Sequence, residues 1–205
     1  MKPLVIGFYT KNTPYAAEAK LLKKSLNSHE YEHDIVGIDN RGSWQKNTQA
    51  KAEIVSMMLD THNVPLLYLD VDAIMISPPV LLDDIDCDIA AVHYANCNDN
   101  PLLSGTVYFA NTPNTRAVVD RWLWYNNEYP DTLPDGRDAW DQRTLQMAID
   151  DVTSCHFEEL PQSYTWITGM TTNLPGFETL IPTIVHTRGA ARFKNAIDGK
   201  EGYAQ

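Results

Sequence analysis

Two aspartates one residue apart, Asp70 and Asp72, follow an unbroken apolar run, Leu66-Leu67-Tyr68-Leu69, and precede a second, Ala73-Ile74-Met75-Ile76. The first run reads as a central strand covered on both faces. Carboxylates in the interior of such a strand are costly without partners. The pair therefore belongs at the strand's C-terminal end, where open α/β sheets place their ligand crevice. Two carboxylates there can hold a hard divalent cation, and the cation can hold a phosphate. The bland alternative is a pair that caps a loop and touches solvent. The apolar runs on both sides favour the site.

Elements that would position this pair can be read along the chain. Leu4 to Tyr9 reads as a first strand, ending in the polar turn Thr10-Lys11-Asn12-Thr13-Pro14. Thr13 suits a helix cap and Pro14 a first helical position. The helix is expected to run to about Leu26 with Ala17, Leu21, Leu22 and Leu26 on one face. Asp34 to Ile38 reads as a second strand, and Gln49 to Thr61 as a helix facing the core through Ile54, Met58 and Leu59. Trp44, ahead of it, reads as a packing anchor. Lys51 on its first turn is either a solvated charge or a cation beside the aspartates. Beyond Pro78-Pro79 come a strand at Ile89 to His93, a loop at 95–101, and a turn at Leu103-Ser104-Gly105 that feeds a strand ending near Asn111. Thr112-Pro113 opens a helix carrying Val118, Trp122 and Tyr125. Trp140 to Ile149 is a short helix, Phe157 to Leu160 a strand, and Thr183 to His186 a last strand. Strands alternating with helices predict an α/β fold with a largely parallel sheet.

Composition bounds the function. The 205 residues suit one domain with a sizeable core, and 43% apolar with 21% charged residues excludes wholesale disorder. A net charge of −11 is a poor field for a nucleic-acid binder, although Arg188, Arg192, Lys194 and Lys200 gather near the C-terminus. Three cysteines without a C-x-x-C pair argue against a disulfide framework or a zinc site. No signal-peptide pattern and no membrane-length apolar run is present. The expected compartment is the cytoplasm.

The order of the pieces resembles the GT-A glycosyltransferases, the nucleotide-diphospho-sugar transferases. It is most similar to their small metal-dependent branch with glycogenin-like and bacterial galactosyltransferase-like members. The pieces are Phe8-Tyr9-Thr10, the Trp44 to Lys51 segment, Asp70-Val71-Asp72, Leu103-Ser104-Gly105, Asp141-Gln142, and His186 with Lys194. The resemblance implies a single GT-A (Rossmann-like) domain over 1–205, with a mixed, mostly parallel central sheet flanked by helices. It implies a nucleotide-diphosphate sugar as donor, UDP-linked, and a Mn²⁺ or Mg²⁺ ion held by Asp70, Asp72 and His186. Two carboxylates with an imidazole suit Mn²⁺ better than Mg²⁺. As a Lewis acid the ion stabilises the charge that builds on the leaving diphosphate.

By the same resemblance Tyr9 and Thr10 lie along the nucleoside, Lys51 belongs to the donor site, and Asp70 holds ribose or metal. Ser104 and Gly105 line the sugar, and Arg188 and Lys194 hold the diphosphate. Asp141 binds sugar hydroxyls and Gln142 sits near the anomeric carbon. An amide cannot act as the base that inversion requires, so Asp141-Gln142 leans towards retention. Each position also has a structural reading: Asp141 is a good helix cap, and Ser104-Gly105 a good turn.

Two other functions fit parts of the pattern. Haloacid-dehalogenase-type phosphatases also carry Asp-x-Asp after an apolar strand, but here the motif comes after two βα units and is followed by Ile74. A nucleotide-sugar-binding module without turnover is the other. The acceptor is open: a saccharide, a protein side chain, a small molecule or a modified nucleic-acid base. Cys97 to Leu103 and Pro161 to Pro182 are the segments expected to shape its side of the site. Oligomeric state is not legible.

Overall fold

The computed structural model describes residues 2–94, 102–171 and 180–188. The chain opens with β1 (Leu4–Thr10), α1 (Tyr15–Ser28) and β2 (His33–Ile38), and β1 and β2 pair in parallel from Val5↔His33 to Thr10↔Ile38. Then come α2 (Trp44–His62), β3 (Leu66–Leu69) and the short β4 (Ala73–Met75). The second half carries β5 (Ile89–His93), β6 (Leu102–Phe109), α3 (Pro113–Glu128), α4 (Asp141–Asp151), β7 (Phe157–Glu159), β8 (Trp166–Ile167) and β9 (Ile184–His186).

Among the described residues the main sheet has the order β2-β1-β3-β6-β5-β7. β1 pairs in parallel with β2 and β3, and β5 in parallel with β7; β6 runs antiparallel to both β3 and β5. The mixed, mostly parallel α/β sheet expected from the sequence is thus present. Side chains alternate across it. Val5, Leu67 and Leu69 bury with Ala19, Leu22 and Leu26 of α1 on one face. Ile6, Leu66, Tyr68, Val107 and Phe109 bury with Val55, Met58, Val118, Trp122 and Leu145 of α2, α3 and α4 on the other. A second small sheet, β4-β9-β8, adds Ala73, Met75 and Ile184 to the α1 side. It brings the end of β9 to the end of β3.

Several boundaries differ from expectation. Pro14 takes the N-cap position of α1 rather than its first turn, and the Thr13 hydroxyl donates to the Thr10 carbonyl at 2.7 Å instead of capping. Leu21 is 51% exposed and Ala17 lies outside, while Glu18, Ala19, Leu22 and Leu26 are buried. The buried stripe is therefore one position displaced, and it includes a carboxylate. α2 starts at Trp44, well before Gln49, because Ser43 is its cap and accepts from the Lys46 N–H at 3.2 Å. Ser104-Gly105 is not a turn but lies within β6. Part of the Pro161 to Pro182 segment is ordered into a 3-10 turn at Gln162–Thr165 and β8. Residues 97–101 and 172–179 of the two expected acceptor segments lie outside the described residues.

Asp88 ties the far edge of the sheet together. Its carboxylate accepts from Thr112 Oγ1 at 2.5 Å, Asn114 Nδ2 at 3.1 Å and the His156 N–H at 2.8 Å, joining β5 to the start of α3 and to β7. Burial raises its pKa, but these donors together hold it below the ordinary carboxylate value. A lowered folded-state pKa means stability that is present above the unfolded value and lost as pH falls through the folded one. Asp88→Ala is expected to cost about 2–4 kcal/mol at neutral pH in urea denaturation, because three donors are orphaned at once. The gap to the parent should narrow below about pH 4, as the parent loses the same charge.

Candidate active site

The end of β3 opens into a cleft lined by Phe8, Tyr9, Tyr15, Trp44, Thr48, Lys51, Tyr68, Asp70, Asp72, Ser104, Trp140, Asp141 and Gln142, among others. Asp70 leaves β3 just as its backbone N–H donates to the Gly105 carbonyl at 2.9 Å, so the turn to β4 starts against β6. Asp72 sits in that turn, and its carbonyl accepts from the Thr187 N–H at 3.0 Å. This bond and the β4/β9 ladder, with Ala73 opposite His186, draw the imidazole to the carboxylates.

Ligand atoms of Asp70, Asp72 and His186 all lie within 4.8 Å of one another. His186 is 5% exposed, with Nδ1 3.4 Å from Asp72 Oδ1 and Nε2 2.9 Å from Thr106 Oγ1. If the hydroxyl accepts from Nε2–H, Nδ1 keeps its lone pair towards the carboxylates, the tautomer a metal ligand needs. Gly105 is required beside it: a Cβ there would lie 2.9 Å from His186 Cε1 and 3.3 Å from Asp70 Oδ2. Two carboxylates and an oriented imidazole fit a divalent cation.

Lys51 is the other centre of the site, and the solvated-charge reading is overturned. Its side chain is 3% exposed. Nζ lies 2.7 Å from Asp141 Oδ2, 3.1 Å from Asp70 Oδ1, 3.0 Å from the Ser104 carbonyl and 3.1 Å from Ser104 Oγ, and 4.6 Å over the Tyr68 ring. Burial disfavours its charge, yet Asp141 and Asp70 hold the ammonium above its usual pKa. Three N–H donors facing four protein acceptors are fully committed. Asp70 shows the opposite balance: burial raises its carboxyl, Lys51 lowers it, Asp72 and Asp141 raise it further, and the net is upward. Its Oδ1 also accepts from the Tyr68 hydroxyl at 3.0 Å.

Asp141 opens α4 at its first turn, with Trp140 rather than Asp141 at the N-cap. It is 5% exposed and accepts from Ser104 Oγ at 2.8 Å. Trp122 Nε1 donates to the Asp141 carbonyl at 3.0 Å and fixes the start of the helix. Gln142 Oε1 accepts from the Ser104 N–H at 3.4 Å, which leaves its amide N–H₂ as the end that faces elsewhere. Tyr9 lines the cleft with its ring over Gly37, where a Cβ would meet it at 3.0 Å. Thr10 is 3% exposed and its hydroxyl lies 3.0 Å from that of Thr13. Arg188 is exposed, two residues past His186, in a left-handed conformation at φ 63°. Lys194 lies outside the described residues.

The structure thus gathers Tyr9, Thr10, Lys51, Asp70, Asp72, Ser104, Asp141 and Gln142 around one cleft, with Gly105 and His186 behind the aspartates. Sequence reasoning missed Tyr68, Thr106 and Tyr15. Tyr68 was detectable, since positions i and i+2 of a strand share a face. Nothing marks Thr106 beyond its place on β6. Tyr15 opens α1 beside the aspartates: burial, then Asp72 and Asp70, raise its hydroxyl pKa against a hydrogen bond from Trp44.

No family model matches this sequence, and no curated protein is similar to it. Solved structures are. A glycosyltransferase involved in glycosylation of the major capsid of PBCV-1 superposes with a TM-score of 0.70 at 14% identity, over 97% of this chain and 100% of that one. The glycosyltransferase GlyE of Streptococcus pneumoniae gives 0.63 at 17% identity, over 90% of this chain but only 55% of its own. The galactosyltransferase LgtC, crystallised with donor and acceptor sugar analogues, gives 0.56 at 12% identity over 98% of both. The chain therefore has the fold of these glycosyltransferases, as its resemblance to the GT-A group implied, and spans about half the length of GlyE.

Proposed function

We propose that the chain is a metal-dependent glycosyltransferase that moves a sugar from a nucleotide diphosphate, UDP-linked, with retention of configuration. One observation carries the reading. Asp70, Asp72 and His186 converge at the strand end where this fold opens its cleft. They would hold Mn²⁺, because the imidazole favours a borderline metal over Mg²⁺. When bound, the ion supplies Lewis-acid stabilisation of the leaving diphosphate.

The chain's own residues do the rest. Lys51 neutralises Asp70 and Asp141 and holds both carboxylates in place. Asp141 offers its remaining acceptor capacity to donor sugar hydroxyls, and Gln142 offers N–H₂ near the anomeric carbon. Tyr9 and Thr10 flank the nucleoside, and Arg188, with Lys194, meets the diphosphate. The Asp141-Gln142 pair supplies no base on the acceptor side, since Asp141 is tied to Lys51 and Ser104; that supports retention. No observation favours the phosphatase reading.

Differential scanning with UDP, GDP, CDP and ADP, each in Mn²⁺ and in EDTA, tests this. Ligand at about 100 times its dissociation constant adds about 2.7 kcal/mol, a rise of roughly 5–10 °C for a chain of this size. A rise with UDP that EDTA removes is expected. Silence with every nucleotide overturns the donor site. Binding without release of UDP from any UDP-sugar makes the chain a binding module.

A further inference from the structure

Of the three residues that would hold a cation, His186 is the one with two neutral forms. Its ring can serve as a ligand only through a nitrogen that carries no proton. The nitrogen beside the carboxylates is Nδ1, 3.4 Å from Asp72 Oδ1. With no cation between them this neighbour favours Nδ1–H, since a carboxylate can only accept. A cation needs the other tautomer, with the proton on Nε2. What stands at Nε2 decides whether both forms are available.

The Thr106 hydroxyl stands there, at 2.9 Å, on a residue that is 0% exposed. Among the described residues it has no second partner. Two different sheets deliver the two groups. Thr106 lies opposite Leu69 in the β3/β6 ladder, one position before Asp70. His186 arrives on β9, opposite Ala73 of β4. The ring is also held in place. A Cβ at Gly105 would lie 2.9 Å from its Cε1 and 3.2 Å from its Nδ1, and the His186 carbonyl accepts from the Thr168 N–H at 3.0 Å. Each ring nitrogen therefore keeps its own neighbour.

The residue type at position 106 carries information. A buried threonine in a strand can be there for shape alone, because β-branched side chains suit strands. Valine has that shape and buries no hydroxyl. Histidine ligands of metals ordinarily donate their second N–H to a carboxylate, a carbonyl or a water. A carboxylate or carbonyl only accepts, which locks the proton on that nitrogen. A hydroxyl donates or accepts by rotating about one bond. It therefore satisfies Nε2 whether that nitrogen is bare or protonated.

Resting on the metal site proposed above, we infer that Thr106 is a positioning residue whose hydroxyl reverses its hydrogen bond when a divalent cation binds. Before binding it donates to Nε2, and Nδ1–H faces Asp72. After binding it accepts from Nε2–H, and Nδ1 offers its lone pair. The imidazole is neutral in both forms: one proton leaves Nδ1 for solvent and one from solvent reaches Nε2. Neither form leaves a buried ring nitrogen without a partner.

Long-range ¹H–¹⁵N NMR reads the two ring nitrogens directly, at about pH 8, where imidazoles are ordinarily neutral. The His186 signals are those missing from His186→Asn. Zn²⁺, which also takes imidazole, serves as the diamagnetic probe, and calorimetry without nucleotide gives the Mn²⁺ affinity. Without metal the proton is expected on Nδ1, and with Zn²⁺ on Nε2. A proton already on Nε2 without metal overturns the reversal, as does a ring protonated on both nitrogens. Thr106→Val should bind Mn²⁺ about 10–100-fold more weakly, the scale of a lost partner behind a metal ligand, because the Nε2–H then has no acceptor. Thr106→Ser should keep the parent's affinity and its change of tautomer. A Thr106→Val protein that melts lower but binds Mn²⁺ as the parent does makes the threonine structural and overturns the inference. If Thr106→Val does not fold, the tautomers of the parent and of Thr106→Ser still decide. A parent that binds UDP but no metal overturns the metal site itself, and this inference falls with it.

Discussion

In Asp72→Ala the manganese-dependent part of the UDP melting shift disappears, while the protein without ligand melts within about 2 °C of the parent. The two halves of this result have different causes. The Asp72 carboxylate lies 3.4 Å from His186 Nδ1, and its backbone carbonyl accepts from the Thr187 N–H. Removing the side chain therefore leaves the β3–β4 turn pinned. It also removes a negative charge that raises the pKa of Asp70, so the empty site is relieved of like-charge repulsion. With metal present the balance reverses. An ion that Asp70, Asp72 and His186 would hold together would then have one carboxylate and one imidazole, too few ligands for firm binding, and the charge it would supply to the diphosphate would be lost. Calorimetry of Mn²⁺ binding and the nucleotide melting panel read the two halves separately. An unchanged manganese-dependent shift in Asp72→Ala would move the metal away from this triad. A collapse of the ligand-free protein would make Asp72 a structural residue.

The same triad shows what could be read from sequence. Asp70 and Asp72 announce themselves because carboxylates at the end of an apolar run contradict burial, and a local contradiction is visible in one dimension. Asp141 and Gln142 carry no such contradiction: the polar start of a helix marks them only as a cap, and their place in the site came from the resemblance. The parallel βαβ opening followed from strand–helix alternation, and it is present as β1-α1-β2. What failed is what depends on pairing across the sheet. Ser104-Gly105 has the composition of a turn, yet Thr106, Val107 and Tyr108 extend it into a ladder with β3 and β5. The glycine is there because the His186 ring occupies the space its Cβ would need. For Lys51 the solvated reading, the commoner one for a helix lysine, fails, and the alternative of a cation beside the aspartates is the one present. Its burial is decided by two carboxylates distant in sequence, and no local pattern encodes them. Thr106 orients His186 through a contact spanning 80 positions. The buried face of α1 was displaced by one position because Glu18 lies inside, where periodicity expects an apolar residue.

Lys51→Met produces the largest loss of stability expected in this molecule. Methionine matches the length and apolar stem of lysine, so the pocket stays filled and only the ammonium is removed. Asp141, with its side chain 8% exposed, then keeps one hydrogen bond from Ser104 and no counter-charge, beside Asp70 and its neighbour Asp72. Breaking a buried pair from one side costs about 3–5 kcal/mol, a fall of roughly 10 °C for a chain of this size. Urea denaturation of Lys51→Met, Asp141→Asn and the double variant resolves the cause. Asparagine can still accept from Ser104 and carries no charge, so adding it to Lys51→Met should recover part of the loss. A double variant no more stable than Lys51→Met would show that the stranded carboxylate is not what destabilises it. Manganese supplies a second discriminator. With the ammonium gone, the cluster at the end of β3 has lost its fixed cation, so an ion held by Asp70, Asp72 and His186 also offsets repulsion that the parent does not have. Mn²⁺ without nucleotide should therefore raise the melting temperature of Lys51→Met more than that of the parent, because ligand stabilisation scales with affinity for the folded state. Equal shifts would mean that Lys51 and the metal site are electrically independent, which 3.1 Å between Nζ and Asp70 does not allow.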